Sequence, residues 1–275
     1  MALLARSIRS RGKEGSKPGS RTNYWLLDHR PASYWAATRR PFPSLLMVAP
    51  LVLGYESAIL WLGRATPENL RTGADTWMRQ ALASLGLADH WLLPLLLVLI
   101  LMGWQILSFH GWRLSPGILV GMVVESLVWA VVLLGISRLI DVGFTYLEQT
   151  RTPILGINPR GADQTFSALI GYIGAGVYEE TLFRLILVPV FFGTLRLLQA
   201  PQILASTLAV TLSALLFALA HHAGSPGEAF TWFAFVFRWM AGVFFAWVFI
   251  LRGFGIAVGT HTIYDILAGW IAWNL

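Results

Sequence analysis

The 275-residue chain contains no cysteine. That absence excludes a disulfide framework and all thiolate chemistry, while leaving the redox compartment open. Charge is also scarce. Asp, Glu, Lys and Arg make up 12% of the residues, where a soluble domain carries about 25%. No His-Glu-x-x-His pair of the zinc-protease kind occurs, and no repeat of solenoid period. What replaces charge is apolar length: 56% of the residues are hydrophobic and the mean hydropathy is +0.63. This composition excludes an ordinary soluble domain and points to a multi-pass membrane protein.

The charge that is present is unevenly placed. Nine of the 20 Lys and Arg residues lie in the first 40 positions, against Glu14 and Asp28 alone. Residues 1–40 read as a basic, largely disordered cytoplasmic tail obeying the positive-inside rule. The tail has no apolar core and is not a secretory signal; its Arg- and Ser-rich composition is also that of an organellar transit peptide. No nucleic-acid-binding fold follows it, so no nucleic-acid partner is expected. Tyr24, Trp25, Tyr34 and Trp35 are candidate aromatic anchors at the interface.

A spanning helix needs about 20 apolar residues. Seven segments meet that need: 43–63, 91–109, 115–139, 166–198, 202–222, 230–251 and 254–273. Between the first two, Leu70, Trp77, Met78, Leu82 and Leu85 suggest a short amphipathic surface helix. Residues 140–163 read as a loop, with turn signals at Gly156 and Asn158–Pro159. The segment 166–198 would be roughly 50 Å long as one helix, well beyond a ~30 Å core. It must tilt, protrude or break, and Pro189 is the expected kink. The expected fold is therefore all-α: a polytopic helical bundle of about seven spans. Its parts are the tail (1–40), N-terminal spans with amphipathic loops (41–163) and a chemically active membrane domain (164–275), with the functional cavity among the last four spans.

Ionisable residues inside those last spans carry the functional reading, because charge at bilayer depth is costly and rarely kept without a use. Glu180 and Arg184 are i,i+4 and share a helix face. Glu179 sits about 100° away, free to work while Arg184 holds Glu180 ionised. His221 closes the next span. If 166–198 and 202–222 form an antiparallel hairpin, Glu179 and His221 lie equally far from its turn and at one depth, so a carboxylate and an imidazole can share one water. His222 points elsewhere. In the last span His261 and Asp265 are again i,i+4. Depth counting does not bring His261 to His221, since a turn near Arg252 leaves His261 about 12–14 Å above it. Five carboxylates (Glu56, Glu125, Glu179, Glu180, Asp265) then lie at depth against two arginines (Arg184, Arg238), so some are expected to be neutral or to reach water. Arg238 is expected either to pair with one of them or to receive a substrate's C-terminal carboxylate.

Three pieces, EETLFR at 179–184, FALAH at 217–221 and HTIYD at 261–265, occur in the order Glu-Glu-x-x-x-Arg, Phe-x-x-x-His, His-x-x-x-Asn/Asp. In this they resemble the CPBP intramembrane protease family, the group of CAAX prenyl proteases and bacteriocin-processing or immunity membrane proteins. The resemblance covers about residues 166–275. It implies a glutamate-dependent intramembrane endopeptidase acting on a membrane-associated or lipidated protein, in which Glu179 is the general base, His221 holds the water, Glu180 and Arg184 support the first motif, and His261 and Asp265 assist the oxyanion. Asp265 departs from the commoner Asn. An ionised Asp cannot donate a hydrogen bond, so Asp265 is expected to orient His261 as the donor. No cofactor and no metal are expected, since no His-Glu-x-x-His spacing is present; zinc or haem on His221, His222 and His261 is the rival cofactor reading. A non-catalytic scaffold or immunity protein and a proton-relay transporter are the rival functions. The expected location is the bacterial cytoplasmic membrane. No prenylation Cys occurs in the sequence, so the chain is not expected to be a CAAX substrate itself.

Overall fold

The computed structural model describes residues 33–63, 71–148, 162–223 and 229–274. Every regular element among them is helical: α1 (Tyr34–Ala37), α2 (Pro41–Gly63), α3 (Gly73–Ser84), α4 (Leu92–Leu107), α5 (Pro116–Glu148), α6 (Ala162–Glu180), a π-helical segment (Thr181–Leu187), α7 (Val188–Leu197), α8 (Gln202–Ala220), α9 (Trp232–Arg252) and α10 (Phe254–Asn274). Segments of α2, α5, α8 and α9 are long and apolar enough to cross a membrane, and α4 is a shorter apolar helix. The chain is an integral membrane protein with an all-α bundle, and seven crossings fit the helices it contains.

The central helix is α10, which packs against α2, α5, α6 and α9. Its residues 252–262, counted from the preceding turn, form an unbroken buried run. Small residues admit the neighbours. A Cβ on Gly255 would stand 2.9 Å from Ser44 Cα, and one on Gly259 would stand 3.1 Å from Ser126 Cβ. In lipid, where helices gain little by hiding apolar surface from one another, such close approach supplies the attraction. Being surrounded by protein, α10 can carry Thr260, His261, Thr262 and Asp265 without exposing them to lipid. The turn into it rests on Gly253, at φ 99°; a Cβ there would meet Thr38 O at 2.7 Å, so α1 docks directly on this turn.

The expected break in 166–198 is present, but it is a wide turn and not a simple kink. The π-helical segment Thr181–Leu187 separates α6 from α7. Pro189 sits in the first turn of α7, where its missing N–H leaves the α-helical ladder one donor short. Residues 140–148, expected as loop, instead continue α5. Ile140, Val142 and Phe144 extend the apolar run, and Phe144 packs edge-on against Phe233 of α9 at 5.3 Å. The turn signals at Gly156 and Asn158–Pro159 lie outside the described residues, as does Leu70.

Two further expectations need correction. The amphipathic helix α3 exists, but it is docked into the bundle: Ala74, Asp75 and Met78 are buried. The charge count at depth was also too pessimistic. Glu56 of α2 is paired with Arg71 at 3.2 Å and with Arg79 at 2.6 Å. Glu125 of α5 is bonded by both Arg252 Nε and, at 2.8 Å, Arg252 Nη2. Long arginine stems reach inward from loops and helix ends, which a tally by span omits. Tyr34, expected as an interface anchor, donates to Glu125 at 2.7 Å, while Trp35 covers the Arg252 guanidinium at 3.7 Å. The helices of 41–163 and 164–275 pack through one another, with α10 against α5 and α2 against α6.

Candidate active site

The site begins where α6 gives way to the π-helical segment. Glu180, the last residue of α6, forms an ion pair with Arg184 in the wide turn, N···O 3.0 Å, with both side chains almost fully buried. Arg184 also donates from Nη2 to the carbonyl of Gly242 on α9 at 3.2 Å. Its guanidinium lies 4.3 Å from the Phe217 ring centroid and 5.3 Å from that of Phe245. A delocalised cation that stacks on aromatic faces suits this dry position better than an ammonium would. Gly242 lets α9 close in: a Cβ there would stand 2.9 Å from Ala214 Cα of α8.

Glu180 holds a second partner. Its Oε1 lies 2.8 Å from His261 Nδ1, and the imidazole is stacked on Phe245, centroids 4.4 Å apart at 15°. With Nδ1 occupied, His261 turns Nε2 toward Glu179 Oε2 at 3.8 Å and Asp265 Oδ2 at 3.5 Å. The hydrogen bond that orients the His261 ring therefore involves Glu180, and not Asp265 as the sequence suggested. Depth counting misses this approach because it ignores how α8 and α9 pack. With Ala214 packed on Gly242, the end of α8 lies alongside the middle of α9, and Phe217, one turn before His221, is 6.0 Å from the His261 ring. His221 thus sits much deeper than the start of α9 implied.

His221 approaches from the opposite side. Its Nδ1 is 2.8 Å from the carbonyl oxygen of Phe217. A carbonyl only accepts, so Nδ1 carries a proton and a neutral His221 presents its lone pair at Nε2. That Nε2 is 3.8 Å from Glu179 Oε2. The carboxylate oxygen therefore stands equally far from two imidazole nitrogens, too far for a hydrogen bond to either. It is buried and has no hydrogen-bond partner among the described residues. The three motifs converge on this point. His222 faces away, against Phe230 at 5.2 Å and Phe235 at 6.3 Å. Arg238, half-buried on α9, lies within electrostatic reach of both Glu179 and Asp265. Phe245 and the Gly242 carbonyl were not foreseen, and no local pattern in α9 marks them. Among the described residues, no group of three or more His, Asp and Glu side chains is placed to hold a metal ion.

No curated protein and no solved structure matches the chain. Residues 161–267 match a family model described as type II CAAX prenyl endopeptidase Rce1-like. The matched stretch holds all three motifs and leaves out α1–α5. On that match and the motifs within it, the segment from α6 through Asp265 is similar to the type II CAAX prenyl endopeptidases of the Rce1-like family.

Proposed function

We propose that the chain is a CAAX-type intramembrane protease, that it is glutamate-dependent, and that Glu179 is its general base, hydrolysing a peptide bond in a membrane-associated or lipidated protein. One observation carries the reading: Glu179 Oε2, buried and without a hydrogen bond, stands 3.8 Å from both His221 Nε2 and His261 Nε2. A buried carboxylate oxygen left unsatisfied needs a reason, and a water donating one hydrogen to Glu179 and the other to His221 supplies it. Such a water keeps its lone pairs for the scissile carbonyl carbon. As the oxygen attacks, its proton passes to Glu179 and the carbonyl π pair moves onto oxygen. Protonated Glu179 then gives that proton to the leaving amide nitrogen as the C–N bond breaks.

His261 stabilises the oxyanion in this scheme. Its Nδ1–H is committed to Glu180, itself paired with Arg184, so it donates from Nε2 only as an imidazolium. Glu179, Glu180 and Asp265 surround it with countercharge. Asp265 balances that cation at Nε2 and does not itself donate. Glu180 and Arg184 set the ring's angle without touching substrate. No nucleophilic Ser or Cys is required, since a positioned base and an oxyanion donor suffice for amide hydrolysis.

The test is cleavage of a membrane-tethered peptide library by the full chain in detergent, wild type against Glu179→Gln, with and without chelator. Chelator-resistant cleavage that disappears in the variant is the expected result. Cleavage abolished by chelator would move the site to metal chemistry, and cleavage retained by Glu179→Gln would remove Glu179 as the base.

A further inference from the structure

Beside Tyr178, on the neighbouring face of α6, lies a second buried polar cluster with no part in the chemistry above. It draws on three elements. From α2 come Tyr55 and Glu56; from α3 and the residue pair before it come Arg71, Asp75 and Arg79; from α6 comes Tyr178. Every carboxylate oxygen is occupied. Glu56 Oε1 accepts from Tyr178 OH and from Arg79 Nη2 at 2.6 Å. Glu56 Oε2 accepts from Arg71 Nη1 at 3.3 Å and Nη2 at 3.2 Å. Asp75 Oδ1 accepts from Arg79 Nε at 2.6 Å, and Oδ2 from Arg71 Nη1 at 2.7 Å and Tyr55 OH at 2.9 Å. Two carboxylates face two guanidiniums, so the cluster is balanced. Tyr55, Tyr178 and Asp75 are fully buried.

Tyr178 carries the hydrogen bond that ties this cluster to α6, and the next residue is Glu179. The fit around it is tight. The Tyr55 and Tyr178 rings lie 5.4 Å apart. One turn earlier, a Cβ on Gly174 would stand 2.7 Å from Tyr55 Cζ. On the side facing α10, a Cβ on Gly176 would stand 2.9 Å from the backbone N of Thr262, next to His261. Helix α6 is thus gripped on one side by α2 and α3 and on another by α10. These grips, with the Glu180–His261 hydrogen bond, resist a turn of the helix about its own axis. Side chains extend about 5–6 Å from that axis, so a turn of about 10° moves a carboxylate by about 1 Å. A misplacement of that size can cost about 100-fold in rate.

We infer that Tyr178 and Glu56 are positioning residues: their hydrogen bond sets the angle of α6 so that Glu179 stands between His221 and His261. This rests on the assignment of Glu179 as the base. It also gives the helices outside the family match a share in catalysis.

The experiment compares Tyr178→Phe with Tyr55→Phe, each in the full chain, on the peptide that the wild type cleaves best in vesicles. Each substitution removes one buried hydroxyl bonded to a carboxylate of the same cluster and leaves all the arginine pairs intact; Tyr55→Phe also removes the acceptor of the Thr72 N–H, at 3.3 Å, so it is the harsher change and a stringent control. Only Tyr178 lies on α6. The expected result is a fall in kcat of about tenfold for Tyr178→Phe at unchanged KM, with Tyr55→Phe near wild type in kcat and both variants losing similar melting temperature. Equal kcat for the two variants would overturn the inference, because the cluster would then act on stability alone. So would a Tyr178→Phe protein that does not accumulate folded. Glu179→Gln run alongside separates the two levels. If it remains active, the base assignment fails; if it is dead while Tyr178→Phe keeps full kcat, only the positioning role fails.

Discussion

Two buried charge clusters meet α6 on different faces, and they are built to opposite standards. Around Glu56 and Asp75 each carboxylate oxygen accepts at least one hydrogen bond, and positive and negative groups match two to two. Around Glu179 the matching is loose. Two buried oxygens, Glu179 Oε2 and Glu180 Oε2, have no hydrogen bond among the described residues, and the first faces two imidazoles across 3.8 Å. Satisfying a buried polar group fixes it in place, whereas leaving one unsatisfied keeps it available at a cost in stability. The first cluster reads as architecture and the second as chemistry, and the difference shows in hydrogen-bond completeness more than in residue type.

The sharpest way to break this contrast is to neutralise one carboxylate in each cluster. Glu179→Gln is expected to lower cleavage by at least about 10³-fold while the melting temperature in detergent holds or rises. His261→Ala is expected to match it in activity. Glu56→Ala is expected to do the reverse to stability. It leaves Arg71 and Arg79 buried with one carboxylate between them, a loss of about 3–5 kcal/mol, read by denaturation of the purified protein. If Glu56→Ala were as stable as wild type, the completeness of its cluster would mean nothing. A finer distinction lies within the site. Asp265→Asn keeps the shape and removes only countercharge, so it is expected to retain activity within about tenfold of wild type in the same cleavage assay, far above His261→Ala. The reverse ranking would reject His261 as the oxyanion donor. The smallest effect is expected at Trp35→Ala, where an exposed ring leaves the Arg252 guanidinium and the melting curve shifts by about 0.5–1 kcal/mol.

Local periodicity carries much of this fold and part of the site. The i,i+4 spacing of Glu180 and Arg184 predicts their ion pair, and hairpin arithmetic predicts that Glu179 and His221 meet. Both are contacts within one helix or across one turn, where rise per residue decides the outcome. What escapes the sequence is pairing between distant elements. Nothing in the spacing of Arg71, Arg79 or Arg252 says that these residues reach Glu56 and Glu125, 15 to 127 positions away. The bond from Glu180 to the His261 ring joins residues 81 apart and depends on the packing of α10 against α6. The end of α5 was missed for a related reason: the apolar run weakens after Leu139, but contact with α9 continues through Phe144.

The wide turn at Thr181–Leu187 has a consequence for tolerance to change in chain length. Upstream of it, α6 is gripped on two sides, and one added or lost residue would swing Glu179 out of place. Downstream, α7 packs on α8 and ends in Leu197 and Leu198, which are 85% and 73% exposed. A π turn already accommodates one residue more than the α-helical repeat, and Arg184 within it is anchored to Glu180 and to the Gly242 carbonyl, so the site is held upstream of α7. Length variation among chains of this design should therefore collect between Val188 and Pro201, and a tag or fluorescent insert placed at that hairpin should leave cleavage intact.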